Sequence, residues 1–265
     1  MATRTPIALI TGASSGIGEA LAHRFARAGH ALVLVARGAD RLDALAAQLS
    51  AEHGVKAWAR AADLAAPGAA AALAAAMKRE RRTVDVLVNN AGVLEHGPFV
   101  AMAAQRHQQL VDLNVSGLTA MLAAFVPGMV ARGSGRVLNV ASIAAFQPVP
   151  SLATYAATKA YVLSLTESLS EELQGSGVTV TALCPGITAT RMLERASAAS
   201  PELAGLPALV VGSADDVAAE GFDACMKGEV IRVPGLINRA GVVAGRAAPK
   251  WLLRRLSGAV VRRMK

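Results

Sequence analysis

Thr11-Gly12-Ala13-Ser14-Ser15-Gly16-Ile17-Gly18 is the most informative stretch of the chain. It follows a short apolar run at residues 7–10, and its last glycines open a helical pattern, so we predict a strand, a tight turn and a helix. Glycines in such a turn let backbone N–H groups approach a pyrophosphate at the positive end of the helix. A glycine-rich turn without a ligand is the alternative, because three glycines alone are weak evidence.

Outward from this turn, short aliphatic runs alternate with helical stretches. We predict seven strands, at residues 7–10, 31–36, 55–59, 84–88, 136–140, 178–183 and 230–233. Helices are predicted between them, including a long one at 101–132 and another at 155–174. The alternation predicts an α/β fold with helices on both faces of a doubly wound parallel sheet. We assign residues 1–233 to one domain and 234–265 to a basic C-terminal helical extension.

The composition fits one buried core in a reducing compartment. The 265 residues are 53% hydrophobic but only 3% aromatic, which favours closely packed layers. Two cysteines, Cys184 and Cys225, provide neither a disulfide framework nor metal-ligand spacing, and the N-terminus has no signal-type apolar segment. We therefore expect a cytoplasmic location and no metal. An uncharged stretch at 113–131 contains polar residues and Pro127, so we interpret it as a buried helix and not a membrane span.

The positive charge is concentrated at the C-terminal end. The formal net charge is +8, yet nine basic residues and no acidic one follow from Arg232 onward, so the preceding part carries −1. From Pro249 onward, apolar and basic residues fall largely on opposite sides of a helix, which is typical of a helix on anionic lipid or of one packed against a partner subunit. The tail lacks the interleaved aromatics of a nucleic-acid module, so we predict no nucleic-acid partner.

Tyr155 and Lys159 are candidates for proton transfer. They are four residues apart on a predicted helix and therefore lie on one face. A tyrosine with its ordinary pKa near 10 is a poor base at neutral pH, but a neighbouring ammonium favours the phenolate. A solvated helix face is the alternative for this pair alone. Ser142, which follows the fifth predicted strand, favours the catalytic interpretation.

Several motifs together resemble the short-chain dehydrogenase/reductase family over roughly residues 5–233. They are the glycine turn, Asn89-Asn90-Ala91-Gly92, Leu113-Asn114, Ser142, the Tyr155 and Lys159 pair, and Pro185-Gly186-Ile187-Thr188-Ala189-Thr190. The resemblance implies a Rossmann fold and hydride transfer between a nicotinamide and a carbonyl or alcohol carbon. A nicotinamide-binding sensor or scaffold without turnover is the alternative, although such a protein would not need the acid/base residues.

The resemblance also implies roles for individual residues. Ser142 would hydrogen-bond the substrate carbonyl, Tyr155 would give or take the proton, Lys159 would bind the nicotinamide ribose, and Asn114 would hold a water that leads to Lys159. Asp63 would meet the adenine, although a helix N-cap is an equal alternative for it. The predicted cofactor contacts are Gly12, Ser14, Ser15, Gly16, Ile17, Gly18, Arg37, Asp63, Leu64, Asn90, Ala91, Tyr155, Lys159, Pro185, Gly186, Ile187 and Thr190.

Arg37 indicates which nicotinamide is bound. A site for NAD places a carboxylate at the end of the second strand to hold the ribose 2′-hydroxyl, whereas a site for NADP uses a cation for the 2′-phosphate. Here the strand ends Val35-Ala36-Arg37, with no acid. Arginine can bind phosphate through two N–H groups at once. We therefore predict NADP, with an ordinary surface charge as the alternative.

The sequence says less about the substrate and the oligomeric state than about the cofactor. Apolar residues expected near the substrate predict a lipophilic ketone, aldehyde or 3-oxoacyl compound; they are Leu94, Ile143, Phe146, Pro148, Pro150, Met192 and Leu193. The chain lacks the Asp-Gly-Gly ending that is common in the family, which puts the family's usual tetramer in doubt. A homodimer or higher oligomer formed through the helices at 113–131 and 155–174 remains expected.

Overall fold

The computed structural model describes residues 4–199, 211–247 and 255. Seven strands form one sheet: β1 Ile7–Thr11, β2 Ala31–Ala36, β3 Ala57–Ala61, β4 Val86–Asn89, β5 Gly135–Val140, β6 Val178–Leu183 and β7 Ile231–Arg232. The helices are α1 Gly16–Arg27, α2 Ala39–His53, α3 Ala69–Arg79, α4 Ala104–Val111, α5 Leu118–Ala131, α6 Ala153–Glu172, α7 Arg191–Ala199, α8 Ala214–Lys227 and α9 Leu236–Ala247.

All neighbouring strands in the sheet are parallel, in the order β3-β2-β1-β4-β5-β6-β7. The predicted doubly wound α/β fold is therefore confirmed. The chain reverses its direction of winding between β1 and β4, and ligands of such sheets bind outside the carboxyl ends of the strands at this point. Strand β3 begins at Ala57, two residues later than predicted, although the Lys56 carbonyl just before it already accepts the Leu32 N–H at 2.8 Å.

Alternating residues of the strands support two cores, one on each face of the sheet. From β1, Ile7 and Leu9 face the core covered by α3, α5 and α6. Ala8 and Ile10 face the core covered by α1, α2 and α8. This burial on both faces explains why the central strands are mainly apolar.

The long helix predicted at 101–132 is interrupted. A 3₁₀ turn at Phe99–Ala101 precedes α4, and a π-helical segment, Asp112–Gly117, joins α4 to α5. Within the described ranges, Ala104–Ala131 is the one helical stretch that is long and apolar enough to cross a membrane. Six residues of α5, including Met121 and Met129, are buried in the core, in agreement with the prediction of a buried helix.

Helix α9 follows β7 and turns back along the end of the sheet. Asn238 Nδ2 donates to the Pro234 carbonyl at 2.9 Å, and the same side chain lies against Gly186. Arg246 forms an ion pair with Glu167 at 3.8 Å and lies over the Phe146 ring. The helix predicted from Pro249 onward lies outside the described residues, except for Arg255.

Candidate active site

The glycine turn is tightly packed because its glycines lack side chains. Gly12 and Gly16 adopt left-handed backbone conformations, with φ of 64° and 59°. A Cβ on Gly18 would lie 2.3 Å from the Gly12 carbonyl oxygen and 2.4 Å from Asn90 Nδ2. These contacts leave no room for any other residue at position 18, and they hold the first turn of α1 against the end of β1.

Asn90 and Thr11 join this turn to the end of β4. Asn90 Nδ2 donates to the Thr11 carbonyl at 2.9 Å and to the Gly12 carbonyl at 3.2 Å. Thr11 Oγ1 accepts from the N–H groups of Asn90 and Ala91 and donates to the Val88 carbonyl. The sequence pointed to Asn90 and Ala91 but not to Thr11. The buried Thr11 hydroxyl makes one donated and two accepted hydrogen bonds, at the place between β1 and β4 where the winding of the chain reverses.

The turn after β6 lies across the same region. A Cβ on Gly16 would come within 2.8 Å of Thr190 Cγ2, so Thr190 rests directly on the glycine turn. Gly186 is likewise crowded, because a Cβ there would meet the Asn238 amide at 2.6 Å. Residues Gly186 and Thr190 thus lie between the start of α1 and helix α9.

Arg37 and Asp63 follow β2 and β3 at the carboxyl edge of the sheet. Arg37 is exposed and makes no ion pair or hydrogen bond within the described part of the chain. Asp63 Oδ1 accepts the Ala65 N–H at 3.1 Å within the turn that follows β3, whereas the N-cap position of α3 is occupied by Gly68. Leu64 is buried, and its carbonyl oxygen lies 2.6 Å from the position of a Cβ on Gly117.

Ser142 leaves β5 in an extended conformation and caps the short 3₁₀ helix Ile143–Phe146. Its Oγ accepts the Ala144 N–H at 3.1 Å. The neighbouring Ile143 N–H donates to the Pro185 carbonyl at 3.0 Å, which joins this segment to the turn after β6. The Ala144 N–H bonds a lone pair of the Ser142 oxygen, so the hydroxyl hydrogen is still free to donate to an acceptor.

Tyr155 lies in the first turn of α6, next to Ser142. Only 9% of Tyr155 is exposed, and this burial raises the pKa of its phenol, while a hydrogen bond with Ser142 acts in the opposite direction. We predicted that the Lys159 ammonium and the oxidised nicotinamide together favour the phenolate, and for the complex with the cofactor this remains a prediction. In the protein alone, desolvation is the larger effect, so the phenol is protonated at neutral pH.

Lys159 lies one turn further along α6 and is also buried. Its Nζ donates to the Val140 carbonyl at 2.9 Å and lies 5.8 Å from the centroid of the Tyr155 ring. Burial lowers the pKa of the ammonium to about 8. The predicted shared face of Tyr155 and Lys159 is therefore present, but it points into the protein instead of into solvent.

Asn114 is fixed within the π-helical segment. Its Oδ1 accepts the Val93 N–H, and its Nδ2 donates to the Val93 carbonyl and to Thr158 Oγ1, at 2.9–3.1 Å. A Cβ on Gly92 would lie 3.2 Å from Asn114 Oδ1 and 3.6 Å from Lys159 Nζ, so both groups rest against Gly92. π-Helical turns are frequent at functional sites because they redirect side chains. The relay of water from Asn114 to Lys159 remains a prediction.

Two residues that the sequence did not indicate connect the site to its surroundings. Arg191, at the start of α7, donates from Nη2 to the Ser14 carbonyl at 2.6 Å. His107 Nδ1 lies 2.7 Å from Thr154 Oγ1, beside Tyr155, and the His107 ring lies against Phe99. No local pattern marks these pairs, since their partners are distant in the chain.

One cluster of histidines was not expected from their spacing. His23 Nδ1 and His53 Nε2 lie 3.8 and 3.7 Å from the same Glu52 oxygen, and His53 Nε2 is buried without a hydrogen bond. Ligand atoms about 2.0–2.1 Å from a tetrahedral zinc would lie closer together, roughly 3.4 Å apart. The absence of a metal remains a prediction.

Comparisons with known proteins identify the family of the chain. The family model of the short chain dehydrogenases matches residues 6–201. Oxidoreductase UcpA of Escherichia coli (strain K12) is 38% identical over 188 residues, which cover 71% of each chain. A short-chain dehydrogenase from Sphingobium yanoikuyae, solved in complex with NADPH, is 40% identical with a TM-score of 0.81 and coverage of 91% and 92%. The bulky-bulky ketone specific alcohol dehydrogenase from Comamonas testosteroni is 32% identical, with a TM-score of 0.77 and coverage of 94% and 96%.

Proposed function

The chain belongs to the short-chain dehydrogenase family of oxidoreductases, and we propose that it reduces a lipophilic ketone or aldehyde with NADPH. The observation that carries this proposal is the meeting of Ser142, Tyr155 and Lys159 beside the glycine turn, at the carboxyl ends of β1, β4 and β5. A protein that only senses or stores the nucleotide has no need of this buried proton-transfer group.

The residues around the glycine turn fit a dinucleotide. Gly12, Gly16 and Gly18 keep the backbone free of side chains at the N-terminus of α1, where the helix dipole favours an anion such as pyrophosphate. Arg37 is exposed and unpaired within the described residues, as a cation reserved for a 2′-phosphate would be. Bound NADPH supplies a hydride to the carbonyl carbon. The NADPH in the Sphingobium yanoikuyae structure supports this choice of cofactor.

Tyr155 is suited to act as the proton donor. Since burial raises its pKa, the phenol keeps its proton at neutral pH and can transfer it to the carbonyl oxygen as negative charge develops there. The Ser142 hydroxyl would donate a second hydrogen bond to the same oxygen, because its own oxygen is already bound by the Ala144 N–H. Carbonyl reduction requires the protonated phenol, whereas the reverse oxidation requires the phenolate.

Lys159 would hold the nicotinamide ribose and stabilise the phenolate that remains on Tyr155 after proton transfer. With a pKa of about 8 the amine is still mainly charged at neutral pH, and its bond to the Val140 carbonyl fixes its position. Asn114 would act as a positioning residue, since its amide holds Val93 and Thr158 in place around Gly92.

The substrate class follows from the side chains around Tyr155. Val93, Leu94, Met102, Val149 and Leu152 pack around the cluster that contains Tyr155. Such surroundings favour an apolar carbonyl compound over a sugar, whose hydroxyl groups would need partners. The ketone specificity named for the Comamonas testosteroni enzyme supports this class, and a 3-oxoacyl compound is a second member of it.

The assembly and location are further parts of this proposal. We propose a cytoplasmic homodimer or higher oligomer that pairs through α5 and α6, where Val130 and Tyr161 are each 38% exposed. Two buried free thiols, Cys184 and Cys225, support a reducing compartment. The basic tail would contact anionic lipid or a partner subunit.

The test is a carbonyl screen with the purified protein. We expect reduction of bulky apolar ketones with oxidation of NADPH, followed by absorbance, and far slower reaction with NADH. Tyr161→Phe is a matched control for Tyr155→Phe, because Tyr161 lies on the same helix and its hydroxyl lies 2.9 Å from Thr119 Oγ1. Tight NADPH binding without turnover of any carbonyl or alcohol would contradict the enzyme and favour the sensor.

A further inference from the structure

Helix α9 packs against the domain along a narrow stripe. Asn238 contacts Gly186, Val242 packs on the core beside α6, and Gly245 lies near the Gln147 side chain. These three positions are separated by four and three residues, so they lie on one side of the helix. Arg246, next to this stripe on the helix, adds the ion pair with Glu167 and the contact with the Phe146 ring.

The opposite side of α9 is apolar and exposed. Leu236 is 79% exposed, and Ile237 and Val243 are each 64% exposed. Ala240 and Ala244 are exposed between them. At 100° per residue these five side chains fall within one arc of about 120°, opposite the stripe that packs on the domain. We call this arc the outer face of α9.

Charge favours an anionic partner for the outer face. Arg239 lies at its margin and is exposed, and from Arg232 to the C-terminus the chain has nine basic residues and no acidic one. A second copy placed on this face by a twofold axis would bring two such basic regions together, which is repulsive. A nucleic acid would bind the basic residues through its phosphates but would not bury the aliphatic side chains. A bilayer with acidic headgroups satisfies both.

We propose that the outer face of α9 docks on the surface of an anionic lipid bilayer. Leu236, Ile237 and Val243 enter the boundary between headgroups and acyl chains, while Arg239 binds lipid phosphate. The inner stripe of the same helix rests on Gly186 and beside the Ile143–Phe146 segment, so docking brings the candidate active site close to the lipid. An apolar substrate dissolved in the membrane then has a short path to Tyr155. Docking itself does not depend on hydride transfer.

The experiment is sedimentation of the full-length protein with vesicles. Vesicles of phosphatidylcholine alone are compared with vesicles that also contain phosphatidylglycerol, at low and at high salt. The test variant is Leu236→Ser with Ile237→Ser and Val243→Ser. The matched control is Leu236→Met with Ile237→Leu and Val243→Ile, which keeps the face apolar. Size-exclusion chromatography with light scattering gives the oligomeric state of each protein.

We expect the unmodified protein and the apolar control to sediment with acidic vesicles and to remain in solution with neutral ones. The serine variant should partition at least about tenfold less onto acidic vesicles, with unchanged thermal unfolding and NADPH binding. Two sedimentation results would overturn docking: the unmodified protein does not sediment with acidic vesicles, or the serine variant sediments as much as the unmodified protein. A serine variant that changes its oligomeric state but binds vesicles normally would also overturn it. Loss of all carbonyl turnover would contradict the proposed function but leave these measurements decisive.

Discussion

Arg191 bridges two distant parts of the chain, because its Nη2 donates a hydrogen bond of 2.6 Å to the carbonyl oxygen of Ser14. Ser14 belongs to the glycine turn and immediately precedes the positive end of α1. Arg191 has no carboxylate partner among the described residues. A guanidinium held next to a helix N-terminus indicates a place where an anion is expected.

We predict that Arg191→Ala weakens NADPH binding by about tenfold or more, the effect of one charge-assisted hydrogen bond. Arg191→Lys should restore part of the affinity, because the positive charge is kept but the planar guanidinium with its several N–H donors is lost. Titration of protein fluorescence with NADPH measures both. Arg27→Ala, at the far end of α1, is the control and should bind normally. Equal NADPH affinity of the Ala variant and the unmodified protein would show that Arg191 only joins the start of α7 to the glycine turn.

Tyr155→Phe should abolish turnover while NADPH still binds, since only the proton donor is removed. The expected loss is at least about a hundredfold, as for other general acids. Initial rates with a reactive ketone and the fluorescence titration separate the two effects. Tyr161→Phe should retain the rate. Residual activity of the Tyr155 variant above about one per cent would refute its role.

Arg37→Asp should shift cofactor preference from NADPH toward NADH by a few kcal/mol, because an attraction for the 2′-phosphate is replaced by a repulsion. The ratio of kcat/KM values for the two nicotinamides measures the shift. Lys56→Asp introduces the same charge change at the amino end of β3, on the opposite edge of the sheet from Arg37. This variant should leave the ratio unchanged. Equal use of both nicotinamides by the unmodified protein would rule out this assignment.

Lys159→Met should stabilise the protein at pH 7 although it removes activity. Burial depresses the folded-state pKa from 10.5 to about 8, so the unfolded chain holds the proton more firmly, and stability rises as pH increases from 8 to 10.5. The depression corresponds to about 3 kcal/mol, partly offset by about 1 kcal/mol for the lost bond to the Val140 carbonyl. Urea unfolding should show a gain at pH 7 that shrinks toward pH 10. A loss of stability at both pH values would contradict this balance.

His30 should make the fold sensitive to acid. Desolvation lowers its pKa from 6.5; the ring lies against Phe25 and Phe222, and its buried Nδ1 has no hydrogen-bond partner among the described residues. The unfolded chain therefore takes up a proton first as pH falls below 6.5, and the stability contributed by the neutral ring is lost over that range. His30→Phe should give a shallower decline of Tm with acid. Parallel declines for the two proteins would show that other groups dominate.

Local sequence determined the order of the elements and indicated the candidate reacting side chains. Aliphatic runs specify strands that are buried on both faces, and glycine at positions 12, 16 and 18 is required because neighbouring atoms leave no room for a Cβ there. The spacing of Tyr155 and Lys159 places them on one face of α6 whatever surrounds the helix. These features depend on neighbours within a few residues, so they can be read without knowledge of the fold.

Tertiary packing alone decided the environment of those residues. Burial under β5 and β6 lowers the pKa of Lys159 and raises that of Tyr155, and nothing near them in the chain indicates such desolvation. The bond from Arg191 to Ser14 spans 177 residues, and the outer face of α9 is defined by which side of the helix the domain covers. Electrostatic and packing effects of this kind depend on distance in space, which the order of residues does not specify.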